Sequence, residues 1–277
     1  MNAPPLRVAF LGGRGAYSEV AALSFFGEAA RIIPYQDFDD IFAAVSNGET
    51  DRGVLPIENS LAGSIHRNYD LLLRHDLSIV GEVQVPIAHQ LITLPGVELA
   101  DINRVYSHQQ ALAQCERWLT KNLPHAERIT TYDTSGSVRL VKEQAMRDAA
   151  GLASQRAAEI YGMSILRSEV QDNPENFTRF VAVGREPIVP TGAAKTSIVF
   201  AMDNVPGALF KSLAVFALRD IDLTKIESRP WQGKRWQYLF YIDFAGSIAE
   251  ERCQKALAHL QEITSYFRVL GSYPRGV

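Results

Sequence analysis

Arg185-Glu186-Pro187-Ile188-Val189-Pro190-Thr191-Gly192-Ala193-Ala194 is the stretch on which the fold turns. Its two prolines remove backbone donors and fix φ, and its glycine frees φ, so neither a helix nor a central strand runs through it. Before it, short apolar strands alternate with helices. After it, the pattern restarts on a smaller scale. The reading is a first domain over residues 1–184, a linker over 185–194 and a second domain over 195–277.

Upstream, a strand over 7–11 ends in Gly12-Gly13-Arg14-Gly15 and a helix follows over 17–26. Strands are expected over 31–35, 52–55 and 77–85, with helix faces at Ile41, Phe42 and Val45 and again at Tyr69, Leu71 and Leu72. The alternation continues through Val105, a helix over 111–119, a strand over 129–132, a helix over 138–146 and a strand over 164–170. Such a series predicts an α/β unit with a mostly parallel sheet and covering helices. Downstream, strands at 196–201, 223–228, 236–244 and 266–271 and helices at 207–218 and 249–260 give the order βαββαβ, the ferredoxin-like split unit.

The composition narrows the function. A hydrophobic fraction of 47% supplies two cores, and 21% charged residues is ordinary for a soluble protein. A net charge of −3 offers no basic field for phosphates, which counts against a nucleic-acid partner. No apolar run approaches the ~20 residues that cross a bilayer, so no membrane partner is expected. The opening Met1-Asn2-Ala3-Pro4-Pro5-Leu6-Arg7 has no apolar signal core. Cys115 and Cys253, one per domain, read as reduced thiols, and a cytoplasmic chain without a disulfide framework is the expectation. The histidines are scattered without metal-ligand spacing, and no Gly-x-Ser-x-Gly elbow occurs, so neither a metal nor hydrolase chemistry is expected.

Five strings remain. Gly12-Gly13-Arg14-Gly15 is a tight turn, a small-anion site or, less completely, a dinucleotide fingerprint, with Ser18 where a third small residue belongs and Asp37 near the place of a ribose-binding acid. Pro56-Ile57-Glu58-Asn59-Ser60 lies just past the C-terminal end of an expected strand, the edge where ligands gather in open α/β sheets. The same string also reads as a loop that caps the next helix. Ser107-His108-Gln109-Gln110 and Asp133-Thr134-Ser135-Gly136-Ser137 are N-cap patterns whose amides and hydroxyls also suit carboxylates. Asn176-Phe177-Thr178-Arg179-Phe180 sets a hydroxyl beside a fixed cation. As a plain strand it would point Thr178 inward and Arg179 to solvent; as a site, Arg179 offers a planar fork for a carboxylate.

Taken together these strings resemble the prephenate dehydratases joined to a C-terminal ACT regulatory domain. The resemblance runs through Gly-x-x-Gly-x-x-Ser-Glu at 12–19, Pro-Ile-Glu-Asn-Ser at 56–60, Ser-His-x-Gln at 107–110, Tyr161-Gly162 and Asn-x-Thr-Arg-Phe at 176–180. In the second half it rests on Asn204-x-Pro206-Gly207-Ala208-Leu209 and Glu227-Ser228-Arg229-Pro230. Gln109 and Gly13 stand where the family usually has proline. Leu112-Ala113-Gln114-Cys115 and Arg268-Val269-Leu270-Gly271-Ser272-Tyr273-Pro274 also resemble the plant arogenate dehydratases.

The resemblance implies a two-lobed catalytic domain of the type II periplasmic-binding-protein kind with substrate in its cleft, and a ferredoxin-like βαββαβ ACT domain. It implies loss of carbon dioxide and hydroxide from prephenate to give phenylpyruvate, or the same elimination from arogenate. Aromatisation drives the reaction, so no cofactor is implied. Thr178, Arg179 and Glu58 are then catalytic: Arg179 clamps a carboxylate, Thr178 assists the leaving hydroxyl and Glu58 is a proton source. Asn59, Ser60, Ser107, Gln114, Asp133, Thr134, Ser135 and Phe180 would bind substrate, with Glu58 or Asp133 able to serve an arogenate ammonium. Asn204, Pro206, Gly207, Ala208, Leu209, Glu227, Ser228 and Arg229 would bind feedback phenylalanine in a homodimer or homotetramer. A solute-binding protein and a non-catalytic amino-acid sensor are the alternatives from other classes.

Overall fold

The computed structural model describes residues 4–276, and the chain forms two compact units. The first runs up to Leu71 and resumes over Val83–Phe180; the second takes Leu72–Glu82 and the chain from Val181 onward.

The first unit opens with β1 (Arg7–Leu11), α1 (Tyr17–Phe26), β2 (Arg31–Tyr35) and α2 (Phe38–Ser46). Then follow β3 (Arg52–Asn59), the short β4 (Gly63–Ser64), α3 (His66–Arg74) and β5 (Ser78–Pro86). In α2, Ile41, Phe42, Ala44 and Val45 form the buried stripe, and Asp37 caps the start by accepting from the Asp39 amide. A second series comprises β6 (Gln90–Thr93), β7 (Arg104–Ser107), α4 (Gln109–Gln114), α5 (Glu116–Asn122), β8 (Glu127–Thr130) and α6 (Thr134–Glu143). It closes with β9 (Ala149–Ala153), α7 (Gln155–Tyr161) and β10 (Ser164–Arg167) before β11 (Phe177–Gly184) returns to the first sheet.

The strand orders are β2-β1-β3-β11-β5, with β4 beside β3, and β10-β6-β9-β7-β8. These are the two lobes expected of the catalytic half. The first keeps the expected parallel pairing at β2-β1-β3. The second is mixed, because β6 runs antiparallel to both β9 and β10. The expected helix over 111–119 is broken at Cys115, whose amide is shared by the Ala111, Leu112 and Ala113 carbonyls. The Asp172 carboxylate then accepts from the Arg117 and Trp118 amides at 2.9 and 3.0 Å and starts α5 afresh. β3 also outruns its expected end at Leu55, since pairing of Glu58 with Ser64 and Asn59 with Gly63 extends it through the Pro56–Asn59 segment.

The second unit contains β12 (Ala194–Ala201), α8 (Ala208–Ala217), β13 (Leu223–Pro230), β14 (Tyr238–Ala245), α9 (Glu251–Glu262) and β15 (Tyr266–Pro274). The order β13-β14-β12-β15 is the ferredoxin-like one, as expected. Ile198 and Phe200 of β12 pack with Phe216, Phe244 and Leu260 under the helices. The alternate residues Lys195, Ser197, Val199 and Ala201 are buried as well, and this face carries Leu72–Glu82. Lys195 Nζ lies 2.6 Å from the fully buried Glu82 carboxylate. A Cβ on Gly271 would fall 2.2 Å from the Ile79 carbonyl, so that close approach admits only glycine. The expected boundary gave the whole 77–85 strand and residues up to 184 to the first domain. By compactness, Leu72–Glu82 and the Val181–Gly184 end of β11 group with the second unit instead.

Candidate active site

A cavity of about 350 Å³ opens in the first unit where the two series of elements meet. Pro56 and Asn59 from β3, Gly63, Ser64 and Ile65 from the β4 turn, and Thr178 and Phe180 from β11 wall one side. His108, Gln110, Ala111 and Gln114 around α4, with Thr134 at the start of α6, wall the other. Tyr17, Ile87 and His89 close the end.

Asn59 organises the first wall. Its Oδ1 accepts from the Leu61 and Ala62 amides at 3.1 and 2.9 Å, which fixes the orientation of its amide. Its Nδ2 therefore faces β11 and donates to Asn176 Oδ1 at 2.8 Å, the Phe177 carbonyl at 3.1 Å and Thr178 Oγ1 at 3.0 Å. Since Thr178 Oγ1 accepts here, its own proton is left to be donated elsewhere. Thr178 is 8% exposed and lines the cavity, so the structure offers an oriented hydroxyl donor in a nearly dry wall. Ser60 ties the same strings together, donating to the Glu175 carbonyl and accepting from the Phe177 amide, both at 2.9 Å. It is a scaffold residue and does not line the cavity.

Arg179 sits between Thr178 and Phe180, which both line the cavity, and successive strand residues face opposite ways. Its guanidinium lies 3.9 Å from Glu58, whose strand partner Ser64 does line the cavity. The Arg179–Glu58 pair thus stands beside the cavity, not among its lining residues, and for Arg179 the alternation along β11 is the reason.

On the opposite wall, Asp133 caps α6 by accepting from the Gly136 amide and from Ser135 Oγ at 3.2 Å. Asp133 and Ser135 line a neighbouring cavity, while Thr134 lines the main one. The amides that open α6 carry the positive end of its dipole. Ser107 is fully buried and donates to the Leu152 carbonyl at 2.6 Å, bracing β7 against β9 and not reaching the cavity. Gln114 does line it, 2.9 Å from His89 Nε2.

The glycine loop binds the protein itself. The Gly15 amide donates to the buried Glu19 carboxylate, which takes the place an external anion would occupy. Gly15 has φ +87°, and a Cβ there would lie 2.7 Å from the Ala157 backbone. Gly-x-x-Gly-x-x-Ser-Glu is therefore a turn pinned by its own acid, and the small-anion and dinucleotide readings fall away.

In the second unit a cavity of about 210 Å³ is lined by Asn204, Gly207, Ala208 and Leu209, together with Phe210, Trp236 and Tyr238. Pro206, Glu227, Ser228 and Arg229 do not line it, and Glu227 lies 3.2 Å from Lys225. Among the described residues no group of His, Cys, Asp or Glu is arranged to hold a metal, and no helix is long and apolar enough to cross a membrane.

Sequence reasoning missed Tyr17 and His89. Tyr17 Oη donates to the Ala88 carbonyl at 2.8 Å and lies 3.1 Å from His89 Nδ1. Burial drives the Tyr17 phenol up and the His89 imidazole down. His108 and Gln110 were read as helix-start residues, and His108 Nδ1 does accept from the Gln110 amide at 3.2 Å, but both also face the cavity.

The family model for prephenate dehydratase matches residues 8–188. A protein of Arabidopsis thaliana described as arogenate dehydratase/prephenate dehydratase 2, chloroplastic, is 50% identical over 284 residues, covering 99% of this chain and 74% of that one. The crystal structure of prephenate dehydratase from Arthrobacter aurescens in complex with L-Phe has a TM-score of 0.89 at 36% identity, covering 98% of this chain and 90% of that one. A second solved structure, GqqA, described as a novel type of quorum quenching acylase, has a TM-score of 0.88 at 32% identity over 97% of this chain and 98% of its own. With the family model spanning the lobes that carry Asn59, Thr178 and Gln114, and half of all residues shared with a named dehydratase, this chain belongs to the prephenate dehydratase family.

Proposed function

We propose that the cavity of the first unit converts prephenate to phenylpyruvate, carbon dioxide and water, and that the second unit binds phenylalanine as a feedback signal. Prephenate holds a ring carboxylate and a hydroxyl on opposite positions of a cyclohexadiene. Breaking the ring–carboxylate bond sends its electron pair into the ring and expels hydroxide at the far carbon. A proton from solvent completes the water. The protein has to orient the diene, donate to the departing oxygen and leave the departing carboxylate loosely held.

The observation that carries this reading is the Asn59 to Thr178 hydrogen bond at 3.0 Å, which points the remaining Thr178 proton away from Asn59 in a cavity-lining wall. A threonine hydroxyl is too weak an acid to give up its proton, so its help is electrostatic and grows as charge develops on the leaving oxygen. Thr134 and the opening amides of α6 suit the side-chain carboxylate. The Arg179–Glu58 pair supports the wall from beside the cavity.

The substrate preference follows from charge. Among the described residues that line the cavity there is no Asp or Glu, so an arogenate ammonium would find no carboxylate there. Glu58 and Asp133, the two acids considered for that role, lie outside the lining. Prephenate is the better fit, although several relatives are arogenate dehydratases.

For regulation, the glycine-led start of α8 offers amides beside the aromatic side chains of Phe210 and Trp236, which are 76% and 80% exposed. A homodimer or homotetramer that brought Glu227, Ser228 and Arg229 of a neighbouring subunit to this cavity would complete an amino-acid site, in a cytoplasmic enzyme without a cofactor. The test is to assay the purified protein with prephenate and arogenate side by side, and then to repeat it with Thr178→Val. Prephenate should give the higher kcat/KM, and the variant should lose roughly 10²–10³-fold in kcat with KM little changed. Near-normal turnover by the variant would remove Thr178 from the mechanism.

A further inference from the structure

The first unit holds another cavity, of about 540 Å³, which contains none of the residues assigned to substrate. The segment between β5 and β6 is the partition. Pro86, Ala88 and Gln90 line this cavity, whereas Ile87 and His89, which alternate with them, line the substrate cavity. Extended chain turns successive residues to opposite sides, so the two cavities lie back to back across one thickness of chain. Tyr17 lines both, and its Oη donates to the Ala88 carbonyl at 2.8 Å.

The lining divides by chemistry. Val20 and Leu23 of α1, with Val85, Pro86 and Ala88, supply the apolar part. Among the described lining residues Arg156 of α7 is the one cation, set with three acids, Glu28, Glu159 and Glu169. The Arg156 guanidinium lies 3.8 Å from Glu28, where charges attract but no hydrogen bond forms. Arg156 Nε is buried and has no hydrogen-bond partner among the described residues, a costly state for a charged donor. Gln155 Nε2 donates to Glu159 at 2.9 Å, and the Glu169 amide is held by Gln90 Oε1 at 3.3 Å.

The class of ligand follows from the sum. A neutral apolar molecule would leave Arg156 Nε unpaired. A plain anion would pair with it but meet three carboxylates, and a plain cation would suit the acids alone. A zwitterion with an apolar body satisfies every part. We propose that this cavity is a further binding site, which takes a free α-amino acid with a large apolar side chain. The ligand carboxylate draws the guanidinium round and accepts from Nε and one Nη together, the two-pronged pairing that arginine favours. The ammonium turns to the acids, and the side chain lies against Val20, Leu23, Val85 and Pro86. Such a ligand touches α1 of one lobe, α7 of the other and Tyr17 between the cavities, so it reaches the substrate cavity without entering it.

Hydrogen–deuterium exchange of the full chain, read by mass spectrometry, locates the binding. L-Tryptophan and L-leucine should each slow exchange in peptides covering 17–28 and 154–160. 3-Phenylpropionate, which lacks the ammonium, and 2-phenylethylamine, which lacks the carboxylate, should not. Arg156→Met keeps the stem and loses the fork, so the concentration giving half protection should rise roughly tenfold or more. Leu23→Trp, which fills the cavity from α1, should abolish the protection and serves as the second variant should Arg156→Met fail to fold. Protection at 204–210, in the second unit, should survive both changes. No protection at 17–28 and 154–160 with either amino acid, equal protection by the two analogues, or protection that a folded variant leaves unaltered overturns the proposal. Exchange is read without turnover, so a failure to form phenylpyruvate overturns the dehydratase reading and not this site.

Discussion

Asn59 has two amide hydrogens and three acceptors on β11, so it holds Asn176, the Phe177 carbonyl and Thr178 in one register while its own oxygen shapes the Leu61–Ala62 turn. Its removal should therefore act through Thr178 before it touches substrate. Asn59→Ala should lower kcat roughly tenfold to a hundredfold and also reduce stability by about 1–3 kcal/mol, because buried polar partners are left unpaired. Steady-state kinetics and urea unfolding separate the two effects, and an unchanged kcat would break the link between these residues. At this scale the sequence was half legible. The strings at 56–60 and 176–180 were visible as polar interruptions of apolar strands, but nothing local announces that residues so far apart in the chain share hydrogen bonds. The alternation that turns Arg179 away from the Thr178 face was there to be read, but the plain-strand alternative sends Arg179 to solvent, whereas its side chain is only 12% exposed beside Glu58. Tyr17 and His89 gave no signal, since a lone polar side chain in an apolar run has no spacing to betray it.

Among the elements, α6 tests whether a cap is also a ligand. Asp133 accepts from the Gly136 amide and from Ser135 Oγ, which is the work of an N-cap, and it lines a different cavity from Thr134. Asparagine caps as well as aspartate does, whereas alanine does not. Asp133→Asn should leave kcat, KM and stability near wild type, and Asp133→Ala should cost about 1 kcal/mol in unfolding experiments. A large rise in KM for either substrate with the asparagine variant would restore Asp133 as a binding acid. Element boundaries went wrong where side chains from distant segments intervene. The Asp172 carboxylate splits the expected 111–119 helix by capping α5, and β4 prolongs β3 past Leu55 by pairing with it. Both causes lie outside the sequence window in which periodicity is read.

Across the whole molecule, the linker at 185–194 marks where the βαββαβ pattern begins, yet it does not mark where compactness changes. Every described residue lining the first unit's substrate cavity falls within the span Tyr17–Phe180, so a chain ended at Gly184 retains all of them. The same cut removes β12 and β15 from Leu72–Glu82: Glu82 loses Lys195, and Ile79 and Val80, now 3% and 6% exposed, lose cover. Uncovering two such side chains is worth about 3–6 kcal/mol, and a buried acid without its partner adds to the loss. The truncated chain should therefore still turn over prephenate, no longer respond to phenylalanine, and unfold at a lower temperature than the full chain. Replacing Ile79 and Glu82 by threonine and glutamine in the truncated chain should recover solubility more than stability, since the lost packing has no substitute. Rate assays with and without phenylalanine, alongside thermal melts, check the three outcomes. A truncated chain as stable as the full one would mean that Leu72–Glu82 belongs to the first unit after all, and a truncated chain that phenylalanine still inhibits would place the regulatory site there too.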